Sequence, residues 1–304
     1  MTDNMLMTTE LPLPLLSRGK VRDTYDLGER LLIVTTDRIS AFDVILPHGI
    51  PDKGLVLNQL SAFWFGHTSH LVKNHLVAVI DNLSLLDDYR PHPGFTFPDY
   101  LLGRSMIVNK AERLPVECVV RGYLAGSAWE EYRDKGTVSN LPIPHGLLES
   151  QALPELLFTP TTKADAGHDE PLTLDEMKKL TGSTLTEAMM GKTMEIYRDA
   201  SKYALERGII IADTKLEFGL INGELILIDE LLTPDSSRFW DTALYQVGKP
   251  QPSYDKQPVR DWLAASGWNK EPPAPSLPAE VIEATTRRYR HAYEVLTGKK
   301  LVNS

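Results

Sequence analysis

The sequence predicts an α+β chain. Short apolar runs punctuated by Gly, Pro and Asp fill the first ~115 residues, the pattern of a β-rich start. Asn222-Gly223 stands between two apolar runs, a strong hairpin signal. Two long stretches in the second half repeat their apolar residues at helical spacing.

In chain order, residues 31–35, 76–80 and 106–108 read as strands, and a helix starts near Leu57, carrying Leu60, Phe63 and Trp64. A new section opens at Pro115 with a strand at 116–120. It leads into Arg121-Gly122-Tyr123-Leu124-Ala125-Gly126-Ser127 and a helical Ala128-Trp129-Glu130-Glu131-Tyr132. Residues 141–171 are Pro-rich and lack either period; loops this long are functional or disordered. Thr173 with Glu176, and Thr184 with Glu187, read as capping boxes. The second opens a helix with Met189, Thr193, Ile196, Tyr197, Ala200 and Ala204 on one side, stopped by Gly208. After the hairpin, residues 245–278 form a Pro-rich connector. A helix over 278–297 closes the chain, its stripe made by Val281, Ile282, Thr285, Tyr289, Ala292, Tyr293 and Leu296, and Gly298 ends it. The expected division is a β-rich section over 1–114 and an α/β section with closing helices over 115–304.

Composition narrows the function. With 42% hydrophobic and 24% charged residues, the 304-residue chain is ordinary globular material. No apolar run approaches the ~20 residues that span a bilayer, and the N-terminus lacks the regions of a signal peptide. The expectation is a cytoplasmic protein without a membrane partner. The lone Cys118 permits no internal disulfide and no cysteine zinc cluster; amid Val116, Val119 and Val120 it reads as a buried structural thiol. A net charge of −9 leaves no global basic field for nucleic acid. Anionic substrates must then be held by a few focused Arg and Lys residues together with a metal.

The densest chemistry lies at 209–238. On the first hairpin strand Asp213, Lys215 and Glu217 are spaced by two and share a face; Asp229 on the return can join them. Ile209-Ile210-Ile211 and Leu225-Ile226-Leu227 run both strands through the interior. Uncompensated carboxylates there cost several kcal/mol each, and Mg²⁺ with phosphate oxygens is a natural compensation. A salt-bridged exposed face is the alternative.

Other motifs are weaker alone. Ser17-Arg18-Gly19-Lys20-Val21-Arg22 combines a glycine with basic residues, as a phosphate-covering loop or an exposed basic turn does. Ser127 at a helix start offers free N–H groups to a phosphate, or simply caps the helix. In the long loop Lys163 can pair with a carboxylate or phosphate and Asp169 can bind a metal, or both belong to a solvated loop. Gly191-Lys192-Thr193 is a false Walker end, since Thr186 stands where the first glycine belongs. His67, His70 and His75 lack a nearby carboxylate pattern and read as surface histidines.

Taken in order, six motifs resemble the SAICAR synthetase family of de novo purine synthesis. They are Gly19-Lys20-Val21-Arg22-Asp23-Thr24-Tyr25, Glu117-Cys118-Val119-Val120-Arg121-Gly122, Ala125-Gly126-Ser127, His168-Asp169-Glu170, Asp213-Thr214-Lys215-Leu216-Glu217-Phe218-Gly219, and Asp229-Glu230 through Pro234-Asp235-Ser236-Ser237-Arg238. The length and Pro-rich insertions look like the longer form found in yeasts and many bacteria.

The resemblance implies a SAICAR synthetase-like α+β fold. In it an N-terminal antiparallel sheet domain and an α/β domain, reminiscent of kinases and ATP-grasp enzymes, enclose ATP in a cleft, with helices at the C-terminal end. It implies a ligase that joins L-aspartate to the carboxylated aminoimidazole ribotide CAIR, giving SAICAR, ADP and phosphate through an acyl phosphate, with Mg²⁺ as cofactor. Gly19, Lys20 and Arg22 then cover the ATP phosphates, and Asn109, Lys110, Ala111 and Glu112 meet adenine. Arg121, Ser127 and Arg238 hold the ribotide phosphate. Asp169 and Glu217 serve as metal or CAIR-side ligands and Asp229 as the nucleotide-side ligand. Lys215 sits between donor phosphate and acceptor carboxylate, Asp213 and Asp235 orient substrate, and Lys163 binds a substrate carboxylate. The expected assembly is a monomer or small homo-oligomer. A small-molecule kinase and a non-catalytic nucleotide sensor are the rival readings.

Overall fold

The structure, a computed structural model, describes residues 5–42, 44–163 and 169–301. It divides into two units: Met1–Phe63 with His75–Lys110 and Tyr254–Ser304, and Trp64–Asn74 with Ala111–Ser253.

The first unit holds β1 (Leu15–Arg18), β2 (Arg22–Asp26), β3 (Arg30–Thr35), the small hairpin of β4 (Ser40–Ala41) and β5 (Val44–Ile45), β6 (Leu76–Val79) and β7 (Ser105–Asn109). Five of these form an antiparallel sheet ordered β1-β2-β3-β7-β6. Its core joins Tyr25, Leu32, Val34 and Ile107 to Ile80, Leu86, Phe97 and Leu101. Alternation on β2 also buries Asp23, which is satisfied by Arg38 at 2.6 Å and by the Thr9 hydroxyl at 2.6 Å. Helix α1 (Lys53–His67) confirms the helix expected near Leu57; it buries Leu57, Leu60 and Trp64 as well as Val56 and Phe65 on other sides.

The second unit contains β8 (Glu112–Tyr123), β9 (Thr137–Val138), β10 (Leu141–Pro142), β11 (Ala152–Phe158), β12 (Thr161–Thr162), β13 (Ile209–Ile221), β14 (Glu224–Ile228) and β15 (Ser237–Asp241), with helices α2 (Ser127–Lys135), α3 (Leu174–Thr181) and α4 (Ser183–Leu205). Its main sheet runs β11-β8-β13-β14, with β12 also on β8 and β15 on β13. Every pairing in it is antiparallel, so the α+β expectation holds through both units.

The expected hairpin is β13–β14. Asn222 at φ 52° and Gly223 at φ 79° supply the two left-handed residues that a tight two-residue turn needs. Helix α4 packs on β13 and β8 and buries the stripe Met189, Thr193, Ile196, Tyr197, Ala200 and Ala204. The Tyr197 hydroxyl donates to the Ile211 carbonyl at 2.5 Å, and a side chain at Gly122 would collide with that ring.

Several expectations change. The stretch 141–171 contains β10, β11 and β12 rather than lacking strands. Pro154 breaks the alternation of β11, whose register on β8 shifts between Ala152 and Leu157, so no period shows in the sequence. The Thr173–Glu176 capping box forms, with both reciprocal bonds. The Thr184–Glu187 box does not, because α4 starts at Ser183 after Gly182 and Thr184 lies inside its first turn. The 245–278 connector holds α5 (Gln257–Ala265), which the prolines masked.

The closing helix is α6 (Ala279–Thr297), with Pro278 before it and Gly298 in the left-handed region at its end. Val259, Leu263 and Leu277 pack with Ile39, Ala41, Leu46 and Ile50. Arg290 pairs with Asp52, and the Tyr293 hydroxyl donates to Gln59 at 3.0 Å. Residues 254–304 therefore belong to the first unit, in place of the expected continuous 115–304 section. Trp64–Asn74 group with the second unit, and the middle segment of the first ends at Lys110, where the expected division stood at 114/115.

Candidate active site

Three adjacent antiparallel strands of the second unit, β8, β13 and β15, carry the site. Residues opposite one another on paired strands point to the same side of a sheet. Asp213 lies opposite Arg121 on β8 and Arg238 on β15, and Glu217 lies opposite Glu117. Alternation sends Thr214, Leu216 and Phe218 into the core and leaves Asp213, Lys215 and Glu217 on one face, as their spacing predicts.

At one end of this face two guanidinium groups converge on a single oxygen. Arg121 Nη1 reaches Asp213 Oδ2 at 3.2 Å, and Arg238 pairs with the same atom. Arg121 Nε donates to the Thr159 hydroxyl at 3.1 Å. Burial pulls the Arg121 guanidinium below its ordinary value; Asp213 opposes this and Arg238 adds to it. Two cations thus share one carboxylate oxygen.

Arg238 lies against Gly126, where a Cβ would run into its guanidinium. Gly126 (φ 58°) is the N-cap of α2 and Ser127 its exposed first residue, so Ser127 does not fill the capping position. The free N–H groups of the α2 N-terminus thus lie beside Arg238, a suitable setting for an anion. Further along, Tyr123 meets Trp240 edge to face at 5.3 Å, and Trp240 stacks on Tyr245 at 5.9 Å.

Four charges alternate in the second cluster. Lys215 Nζ donates to Glu117 Oε1 at 2.6 Å and lies 3.9 Å from Glu217. Lys163 Nζ donates to Glu117 Oε1 at 2.9 Å and to Glu217 Oε1 at 2.6 Å. Lys163 follows β12, and its backbone N–H is fixed on the Pro115 carbonyl at 3.1 Å. Burial would lower both ammonium groups, but the facing carboxylates override it and hold Lys163 and Lys215 above the ordinary lysine range. Glu117 is held below its ordinary value by both lysines despite burial. Glu217 behaves oppositely. Burial first, and then the charge of Asp229, push it up to about 7 against the pull of Lys163 and Lys215.

Asp229 follows β14 directly and has a left-handed backbone, φ 63°. For a non-glycine residue that is strain of about 1 kcal/mol or more, and such strain clusters at functional sites. The turn after it is tied by Thr233 Oγ1 to Glu230 at 2.6 Å. Half-buried Asp235 uses its backbone N–H on Thr233 Oγ1 at 3.2 Å, and Lys215 N–H reaches the Ser236 carbonyl at 3.0 Å.

In the first unit Gly19 and Lys20 lie in the exposed turn between β1 and β2, and Arg22 opens β2. Gly19 N–H closes the turn on the Arg22 carbonyl at 2.7 Å, while Arg38 Nη2 holds the Gly19 carbonyl at 2.9 Å. Asn109 ends β7, and Lys110 pairs with Asp26 at 2.7 Å. Ala111 and Glu112 lead into β8.

Of the predicted residues, two groups come together: Arg121, Asp213 and Arg238 beside the helix start at Ser127, and Lys163, Lys215 and Glu217 with Asp229 acting on Glu217. The expected metal trio of Asp169, Glu217 and Asp229 is not assembled. Among the described residues no group of three or more His, Cys, Asp or Glu side chains is arranged to hold a metal ion. Asp169 is exposed, and the lysines offset only part of the burial and Asp229 charge that raise Glu217. His168 lies outside the described residues.

Glu117 was missed. Its only signal was a lone acid inside the apolar run Val116-Glu117-Cys118-Val119-Val120, without the spacing-two partners that singled out Glu217. Cys118 is fully buried, with its thiol pushed up to about 12 by burial, and is structural. His67 pairs with Asp199 at 2.9 Å, apart from any metal cluster among the described residues. No described helix is long and apolar enough to cross a membrane.

The family model for SAICAR synthetase matches residues 15–275. The chain belongs to the SAICAR synthetase family. A phosphoribosylaminoimidazole-succinocarboxamide synthase of Thermodesulfovibrio yellowstonii is 50% identical over 296 residues, covering 97% of this chain and 99% of the relative. The SAICAR synthase of Saccharomyces cerevisiae, solved in complex with SAICAR, superposes with a TM-score of 0.88 at 45% identity, over 97% of this chain and 99% of that one. A SAICAR synthetase solved in complex with ADP superposes with a TM-score of 0.67 at 26% identity, over 93% of this chain and 98% of that one. SAICAR synthetase is a ligase of purine biosynthesis, and the α+β fold described above is that of the family's solved members.

Proposed function

We propose that this SAICAR synthetase family member joins L-aspartate to the CAIR carboxylate at the expense of ATP, releasing ADP and phosphate. One observation carries the reading. A single sheet face bears an arginine cluster beside a helix N-terminus and, a few residues along the same strands, a lysine–carboxylate cluster. The first suits a ribotide phosphate, the second the transfer of a phosphoryl group.

Arg121, Arg238 and the α2 start at Ser127 bind the ribotide phosphate, and Asp213 and Asp235 orient the substrate. Lys215, held protonated by its carboxylate neighbours, donates to the moving phosphoryl oxygens rather than acting as a base. Lys163 binds a substrate carboxylate. Gly19, Lys20 and Arg22 bind the nucleotide phosphates, and Asn109, Lys110, Ala111 and Glu112 its base. The CAIR carboxylate oxygen attacks the γ-phosphorus and ADP departs. The aspartate amine then attacks the acyl carbon, loses a proton, and phosphate leaves.

Mg²⁺ fits Glu217 and Asp229: burial first, and then the charge of Asp229, push Glu217 up to about 7, and a divalent cation would relieve both. Glu217 and Asp229 would hold it, with Asp169 joining them only if it moved in from its exposed position, and bound there it would neutralise phosphate charge.

The test is ADP release by purified protein with CAIR and Mg-ATP. Release should require aspartate and yield SAICAR in equal amount. ADP formed equally well without aspartate, with a stable phosphorylated product, would make the protein a kinase. Absence of any product would favour a nucleotide sensor. ¹⁸O from the CAIR carboxylate should appear in phosphate; unlabelled phosphate excludes the acyl-phosphate route.

A further inference from the structure

The geometry points to Glu117 as the positioning residue that fixes the Lys215 ammonium for the transfer, an inference that rests on the function proposed above. Lys215 has two carboxylates within reach, Glu117 at 2.6 Å and Glu217 at 3.9 Å. Only the first is at hydrogen-bond distance, so Glu117 decides where the ammonium stands. The same oxygen, Glu117 Oε1, also receives Lys163 at 2.9 Å. The four groups thus form a chain, Lys215–Glu117–Lys163–Glu217, with balanced charge.

Glu117 suits an anchor better than a ligand for substrate. It is 3% exposed, whereas the Lys215 side chain is 34% exposed and reaches outward from it. Its backbone is pinned between strands, opposite Glu217 on β13 and opposite Thr161 on β12, with Val116 and Cys118 fully buried on either side. A carboxylate fixed in this way presents one oxygen at a set position. Without its charge, two ammonium groups compete for Glu217. Lys163 already holds that carboxylate at 2.6 Å, so Lys215, 3.9 Å away, is left unheld and leaves the place from which it serves the phosphoryl group.

Two readouts test this, one of them independent of the reaction. Acylation of each lysine by a water-soluble N-hydroxysuccinimide acetate, resolved by peptide mass spectrometry at pH 8, reports how firmly Lys215 is held. Glu117→Gln should raise Lys215 labelling at least tenfold and leave exposed Lys299 unchanged; equal labelling of Lys215 in both proteins would overturn the proposal. In steady-state kinetics Glu117→Gln should lower kcat at least a hundredfold with the KM for ATP within threefold of wild type. Glu117→Asp, which keeps the charge one methylene short, should recover at least tenfold of that loss without reaching wild-type kcat. Wild-type kcat in Glu117→Gln, or equal loss in the glutamine and aspartate variants, would overturn it. Should Glu117→Gln fail to fold, Glu117→Asp decides alone: a partial loss of kcat at unchanged KM for ATP supports the anchor, and wild-type kcat refutes it. If wild-type protein shows no aspartate-dependent ADP release, the functional reading fails while the labelling comparison still judges the hold on Lys215.

Discussion

The two charge clusters on the β8–β13–β15 face use opposite designs. Around Asp213, two guanidinium groups converge on one carboxylate oxygen. Around Glu117 and Glu217, two ammonium groups and two carboxylates balance and share partners. Guanidinium is planar and rigid, and it is matched to the oxygens of a phosphate held still. Ammonium is a compact charge on a flexible stem, able to follow a group in motion. The difference separates holding from transferring on one continuous surface, and it orders the effects expected from breaking each side.

The largest loss is expected on the balanced side. Lys215→Met should reduce kcat by about a thousandfold, roughly 4 kcal/mol of transition-state stabilisation, with the KM for CAIR little changed. Pre-steady-state measurement of ADP formation checks this directly. A smaller and different loss is expected on the arginine side. Arg238→Ala should raise the KM for CAIR roughly ten- to a hundredfold, the worth of one charge-assisted phosphate contact. Arg238→Lys should recover only part of it, because an ammonium cannot reproduce the planar fork; full recovery would show that charge alone matters there.

The smallest effect concerns stability. Folded Glu217 keeps its proton up to about pH 7, whereas the unfolded chain releases it near the ordinary value of 4.5. Between those values the folded state binds more protons, so its stability falls as pH rises through that window. Glu217→Gln lacks this penalty. In metal-free buffer its thermal midpoint should exceed wild type by roughly 3 °C at pH 8, and the gap should close near pH 5. A variant less stable than wild type at pH 8 would mean that Lys163 outweighs Asp229 at this carboxylate.

The arginine side was legible in the sequence and the balanced side only half so. Asn222-Gly223 fixes the hairpin, and a spacing of two then places Asp213, Lys215 and Glu217 on one face with no further information. Arg121, Ser127 and Arg238 stood out through motif context. Glu117 did not, because a lone acid in an apolar run acquires meaning only when the ladder sets it opposite Glu217. The pairing of Lys163 with Glu117 and Glu217 spans 46 and 54 residues of chain, and local patterns carry no trace of it. The expectation that a metal must offset buried carboxylates was sound about cost and overlooked these lysines as a second source of charge. In the fold, α4 and α6 were readable from their stripes. The packing of Val259, Leu263 and Leu277 on Ile39 and Leu46 was not, since an apolar stripe states that it is buried and not against what.

Calorimetric titration of CAIR into Arg238→Ala and Lys215→Met, side by side with wild type, tests the division of labour most directly. Arg238→Ala should bind CAIR at least tenfold more weakly, and Lys215→Met should bind it within about threefold of wild type while failing to turn over. Wild-type binding by Arg238→Ala, or loss of binding by Lys215→Met, would contradict the assignment of one cluster to holding and the other to transfer.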